Sequence, residues 1–312
     1  MNKKYIIALS ILIILIVSFF VLFSNKKEKV VSDDKIKVVT SFYPLYFFTS
    51  EIAGDRATVL NIIPSGAGPH GYEPTARDMA TIEDSDLLIL NGIGLEGWGD
   101  NIKTNLEDKD TYIVIAGEGL ATIEKKGEEE HEENNNNGID PHIWLSPVLA
   151  IQMADKIESG LSIVDPKNSY YYKSNTEILK KKLNILDEEF KQSLTTCGSK
   201  NIIVSHSAFA YLAQEYNLNQ ISIAGLSHEE EPSQKEMTEI SKFAKENNVK
   251  YIFFENLVSP KLSEAIAREI GAKTLVLDPI GGLTDNEISE GKDYFSEMRN
   301  NLVNLKIALE CI

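Results

Sequence analysis

The sequence predicts an α/β fold of two lobes, each a four-stranded parallel sheet flanked by helices, joined by one long rigid helix with a ligand cleft between the lobes. Three observations carry this expectation. Short apolar runs alternate with helical patterns in both halves of the chain, as in strand–helix–strand units. One signature, "HGYEPT" (70–75) and "HEEEPS" (228–233), follows the second apolar run of each half, which points to an internal duplication. Between the halves, Leu179, Leu183, Leu186 and Phe190 recur at helical spacing.

The elements follow in chain order. Residues 1–34 read as a membrane anchor or export signal with a linker. Lys3 and Lys4 precede nineteen apolar, small or hydroxyl residues, 5–23. At a helical rise this run spans about 28 Å, enough for a hydrocarbon core of ~30 Å. No small-x-small cleavage site and no cysteine follows it, which favours an uncleaved anchor over a cleaved signal. Either way the rest of the chain is exported.

Residues 35–165 form the expected first lobe, with strands at 36–40, 58–63, 87–90 and 112–115 and helices at 75–83 and 95–106. Its stretch 124–138, "EKKGEEEHEENNNNG", lacks apolar periodicity and reads as an acidic surface loop around His131. Residues 166–196 form the connecting helix, with Asp165 as its cap and Pro166 in its first turn. At about 45 Å it is long enough to brace both lobes. Residues 197–312 form the second lobe, with strands at 201–204, 220–223, 251–254 and 274–277 and helices at 232–247 and 260–270. Pro74 and Pro232 are each expected to open a helix.

Composition narrows the function. The chain has 312 residues, 43% hydrophobic and 25% charged, which suits a globular body of roughly two domains. A net charge of −16 excludes nucleic acid as a partner and tolerates cations. Cys197 and Cys311 are the only cysteines; a disulfide and two free thiols are both open readings.

Four residues stand at carboxyl ends of the expected strands, where ligands bind in parallel sheets: His70, His142, His206 and Asp278, two from each half. Three imidazoles and a carboxylate match a tetrahedral zinc shell in number and type. Around His70, "GAGPHGYEPTARD" (66–78) is rich in Gly and Pro, so its backbone presents the ring at fixed geometry and loses little entropy on binding. Neutral imidazole is the ligand, so affinity should fall below about pH 6.5.

The motifs "PHGYEPTARD", "LNGIGLEGW", "DPHIWLSP", "SHSAFAYLAQEYNL", "EEEPS" and "FFENLVSPKLSEAIAREIGAKTLVLDPIGGLT" run in order along the chain. In them the sequence resembles the metal-binding solute receptors of bacterial ABC importers, the zinc/manganese class. The resemblance extends from about Lys35 to the C-terminus. It implies an extracytoplasmic receptor that holds a metal ion between two lobes and delivers it to a permease; a monomer is expected, tethered through the apolar run 5–23. Carried over by position, the ligands fall on His70, His142, His206 and Asp278. Histidine at the third place goes with Zn2+, whereas glutamate there goes with Mn2+, so His206 carries the choice of zinc and Mn2+ is the runner-up. Three departures accompany the resemblance: no lipidation cysteine follows the export segment, the loop before His142 is acidic rather than histidine-rich, and His228 stands where relatives commonly have proline.

Three other readings compete. "GIGLEG" (92–97) has the formal G-x-G-x-x-G spacing but follows the third strand, so a turn is expected rather than a dinucleotide site. An exported zinc hydrolase would need an open coordination position and a general base; Glu73 and Glu231 are the available carboxylates, and the sequence has no H-E-x-x-H. A cell-adhesion protein with a structural metal would unfold on chelation, whereas a receptor stays folded when empty. The expectation is therefore a receptor and not an enzyme.

Overall fold

A computed structural model describes residues 35–106, 109–124, 138–226 and 232–312. The expected membrane segment 5–23, His131, His228, Glu231 and most of the acidic stretch lie outside the described residues. The first sheet contains β1 (Ile36–Thr40), β2 (Ala57–Asn61), β3 (Leu87–Leu90) and β4 (Tyr112–Ile115), all parallel, in the order β2-β1-β3-β4. The second contains β5 (Asn201–Val204), β6 (Asn219–Ser222), β7 (Tyr251–Phe254) and β8 (Lys273–Val276), parallel and in the order β6-β5-β7-β8. The two orders are the same, as a duplicated unit requires. Buried parallel strands are continuous apolar runs, and "LLIL" of β3 is wholly buried.

Helices cover the sheets: α1 (Tyr43–Ala53), α2 (Ala76–Glu83) and α3 (Gly99–Asn105) in the first lobe, and α6 (Ala210–Glu215), α7 (Gln234–Glu246), α8 (Lys261–Ile270), α9 (Asp285–Ser289) and α10 (Tyr294–Ala308) in the second. Between them α4 (Pro147–Val164) and α5 (Ser169–Leu194) form an antiparallel pair. Leu179, Leu183, Leu186, Phe190 and Leu194 of α5 are buried in one core cluster with Phe48 and Leu87 of the first lobe and Phe253 and Leu305 of the second. Each such burial contributes on the order of 1.5–3 kcal/mol, so α5 is fastened to both lobes along its length. Gly160 permits the close approach of α4 to the sheet: a Cβ there would lie 2.5 Å from the Val114 side chain.

Several boundaries differ from expectation for identifiable reasons. The connecting helix starts at Ser169, because residues Pro166–Asn168 form a 3-10 turn. Asp165 does not cap it; its carboxylate accepts from Tyr172 Oη (2.6 Å) and Asn168 Nδ2 (2.7 Å) and closes α4 instead. Pro74 and Pro232 stand one residue before the caps, and Thr75 and Ser233 cap α2 and α7 through capping boxes. The helix expected from residue 95 begins at Gly99, because 91–97 is a turn with Gly92, Ile93 and Gly94 at positive φ. Its organiser is Glu96, buried, which accepts from Ser41 Oγ and from the Asn91 and Gly92 N–H groups. This turn has no helix following its first glycines to receive a pyrophosphate.

Cys197 and Cys311 form a disulfide. Around it Ser199 N–H donates to Leu309 O and Ile312 N–H to Thr196 O, so the end of the chain is stitched to the exit of α5.

Candidate metal site

His70 lies in the loop after β2, and His142 leads a 3-10 turn (Ile143–Leu145) after β4. His206 and Asp278 each stand two residues past a strand, β5 and β8. These positions bring the three imidazoles to one point. His70 Nε2 lies 3.0 Å from His142 Nε2, which lies 3.3 Å from His206 Nε2. Two nitrogens bound to one tetrahedral zinc at about 2.0–2.1 Å stand about 3.3 Å apart, so these separations suit a shared ion.

The opposite ring nitrogens decide what the converging atoms are. His142 Nδ1 lies 2.7 Å from Asp140 Oδ1, which also accepts the His142 backbone N–H. His206 Nδ1 lies 2.5 Å from Glu255 Oε1, which also accepts from Ser205 Oγ. Both histidines and both carboxylates are buried. With both carboxylates ionised, each Nδ1 carries the proton and each Nε2 presents a lone pair. Two lone pairs facing each other across 3.3 Å repel, and a cation between them removes that repulsion.

Asp278 lines the same cavity. Its Oδ1 accepts the Ile280 N–H (2.7 Å) and its Oδ2 accepts Asn256 Nδ2 (2.8 Å). Among the described residues, the three histidine nitrogens lie within 4.8 Å of one another, and the Asp278 carboxylate belongs to a neighbouring set with Glu287 and Glu297. The geometry thus gathers three nitrogens and sets one carboxylate on the wall beside them.

Burial governs the charges. It holds the His142 imidazole well below its usual value, and nearby His206 acts in the same direction. It pushes the Asp140 carboxyl up to about 7 against the opposing His142 N–H. It also pushes Asp278 up to about 7, against the Ile280 N–H and with the help of Glu255, Glu287 and Glu297. The imidazole is therefore in its ligand form at neutral pH, and the carboxyls exchange a proton near it.

The cavity is lined by residues of both lobes, among them Pro69, Trp144, Leu257 and Val258, and holds about 30 Å³. That volume suits one small ion and excludes organic solutes, whose pockets start at roughly 300 Å³. A larger groove of about 560 Å³ between α1 and the 281–293 segment contains none of the histidines. The two lobes close over the site by tight backbone contact: Gly66 N–H donates to Leu283 O, and a Cβ at Gly282 would lie 2.7 Å from Ala67 O.

Asp140, Glu255 and Asn256 hold the ring nitrogens and the carboxylate, and the sequence reading assigned them no role. Asp140 was detectable in principle, since an Asp two residues before a candidate ligand can reach its ring. Glu255 is 49 residues from His206, and no local spacing signals the pair.

A family model described as zinc-uptake complex component A, periplasmic (ZnuA), matches residues 38–308. The chain belongs to the ZnuA family. It is 41% identical over 281 residues, 88% of each chain, to the high-affinity zinc uptake system protein ZnuA of Bacillus subtilis. It is 34% identical over 324 residues to the zinc-binding protein AdcA of Streptococcus pyogenes, covering 99% of this chain but 62% of AdcA, so it spans under two-thirds of that relative. Among solved structures, the Zn(II)-bound ZnuA-like domain of Streptococcus pneumoniae AdcA superposes with TM-score 0.76 at 34% identity, over 88% of this chain and 99% of the domain. The laminin-binding protein Lmb of Streptococcus agalactiae, described as a bifunctional adhesin and metal transporter, superposes with TM-score 0.80 at 36% identity, over 88% of this chain and all of Lmb. The two-lobed fold with its long helix is thus that of the ZnuA family. Among the described residues no helix is long and apolar enough to cross a membrane.

Proposed function

We propose that this ZnuA-family chain is the extracytoplasmic receptor of a zinc importer, which captures Zn2+ between its lobes and hands it to an ABC permease. The observation that carries the reading is the convergence of the three Nε2 atoms in a cavity of ionic size. His70, His142 and His206 supply the nitrogens, and a side-chain adjustment brings Asp278 in as the fourth ligand. Each buried imidazole has a carboxylate behind it, which raises its basicity and fixes its orientation. Zn2+ is the cargo rather than a resident cofactor.

A third nitrogen at His206, where an oxygen would suit a harder ion, favours Zn2+ over Mn2+. Four protein ligands fill a tetrahedral shell and leave no position for an activated water, so the reading is a receptor and not a hydrolase. Residues 35–165 and 197–312 serve as the two metal-binding lobes and 166–196 as their brace. Residues 5–23 tether the protein, a monomer, to the cell membrane.

The test is zinc titration of chelator-treated protein, with X-ray absorption on the product. One Zn2+ per chain bound by three nitrogens and one oxygen is expected. No zinc uptake, or a persistent zinc-bound water with ester or peptide turnover, overturns the reading. Intact-mass measurement of membrane-extracted protein tests the tether: loss of residues 1–23 removes it.

A further inference from the structure

Trp144 is gripped by the second lobe at its indole N–H and at its carbonyl. Its indole Nε1–H donates to Pro279 O at 2.7 Å, and its own carbonyl accepts from Tyr294 Oη at 2.6 Å. Trp144 and Tyr294 are both buried. The two bonds run in opposite directions across the same boundary, and they sit beside the metal site. Trp144 is two residues from His142, its ring 5.2 Å from that imidazole, and Pro279 is the neighbour of Asp278. Each partner is also locked in an aromatic cluster of the first lobe. Trp144 meets Phe42 edge-on at 4.6 Å, and Tyr294, from the second lobe's α10, meets Phe48 edge-on at 4.8 Å and stacks on Phe47 at 5.9 Å.

We propose that Trp144 and Tyr294 are positioning residues that latch the His142 loop to the Asp278 loop, and that breaking this latch sets the rate at which metal leaves the cleft. The inference rests on the zinc-receptor reading. Metal bound by ligands from both lobes cannot leave until the lobes part. Parting them strands an indole N–H and a phenol O–H in apolar surroundings until water enters, so both bonds add to the barrier for release. Neither bond uses a ligand atom, so the latch acts on the lifetime of the complex.

The test uses the full chain and its Trp144→Phe and Tyr294→Phe variants, which keep the rings and remove the donors. Dissociation of Zn2+ into excess chelator is followed by stopped flow. Tyr216→Phe serves as the control, because it removes a buried hydrogen bond to Asp187 of α5 and leaves both latch bonds in place. Release is expected to be faster by roughly tenfold in each latch variant, the scale of one buried hydrogen bond. Tyr216→Phe is expected to lower the melting temperature and release at the wild-type rate. If Trp144→Phe does not fold, Tyr294→Phe decides alone. Release no faster than that of Tyr216→Phe in the folded latch variants overturns the latch while the receptor reading stands. A wild-type chain that binds no Zn2+ overturns both.

Discussion

His142 and His206 come from opposite lobes, yet their Nε2 atoms lie 3.3 Å apart while a buried carboxylate holds the far nitrogen of each ring. The arrangement is near mirror-like in chemistry: imidazole in front, Asp140 or Glu255 behind. It makes the cleft a place where two electron pairs meet and wait for a cation.

Removing the carboxylate behind either ring tests this directly. Asp140→Asn and Glu255→Gln should each weaken zinc binding by about 10–100-fold, because the ring loses its orientation and part of its basicity. Competition with a chromophoric chelator gives the affinity. Wild-type affinity in both variants would remove these residues from the site.

The identity of the third ligand should set metal preference. His206→Glu replaces a borderline nitrogen with a hard oxygen and should erode the preference for Zn2+ over Mn2+ by at least about tenfold. Paired titrations with the two ions measure it. Unchanged selectivity would show that His206 does not choose the metal.

Acid should weaken binding from a higher pH than free histidine suggests. His142 is held well below its usual value, so it stays neutral through the window and contributes no proton. Asp140 and Asp278 are raised to about 7, so below that pH they hold protons that the ion must displace. Ionising Asp278 alone makes the association constant rise about tenfold per pH unit up to about 7, and ionising Asp140 as well makes it steeper. Calorimetry from about pH 5.5 to about pH 7.5, in buffers of different ionisation enthalpy, counts the protons. A flat profile across that window would contradict the raised carboxyls.

The disulfide should matter for stability and not for the metal. Cys197 and Cys311 are 114 residues apart and enclose the whole second lobe. Opening so long a loop frees the unfolded chain by up to about 4–5 kcal/mol in the chain-entropy model. The Cys197→Ser/Cys311→Ser double variant should therefore melt well below the wild type while binding Zn2+ with unchanged affinity. A large loss of affinity would place the disulfide in the site's mechanics.

Much of this protein was legible in its sequence. Five of the eight strands occupy the expected residues and the other three, β2, β6 and β8, shift by one or two, because such strands are short apolar runs. The three histidines that the structure gathers stand in the motifs after the expected strands, and Asp278, expected with them, lines the same cavity with its carboxylate beside Glu287 and Glu297. The errors fell on helix beginnings, where several local solutions compete: Asp165 was free to cap α5 until Tyr172 and Asn168 claimed its carboxylate.

What the chain alone determined, then, is the pair of like sheets and the brace between them, since these depend on periodicity over short stretches; its motifs singled out the three histidines that the structure brings together. Only the tertiary structure decided which carboxylate stands behind which ring, that Cys197 meets Cys311, and that Trp144 is held by a residue 150 positions away. Those pairings come from how two lobes pack on one helix, and contacts closed over such separations leave no trace in local spacing.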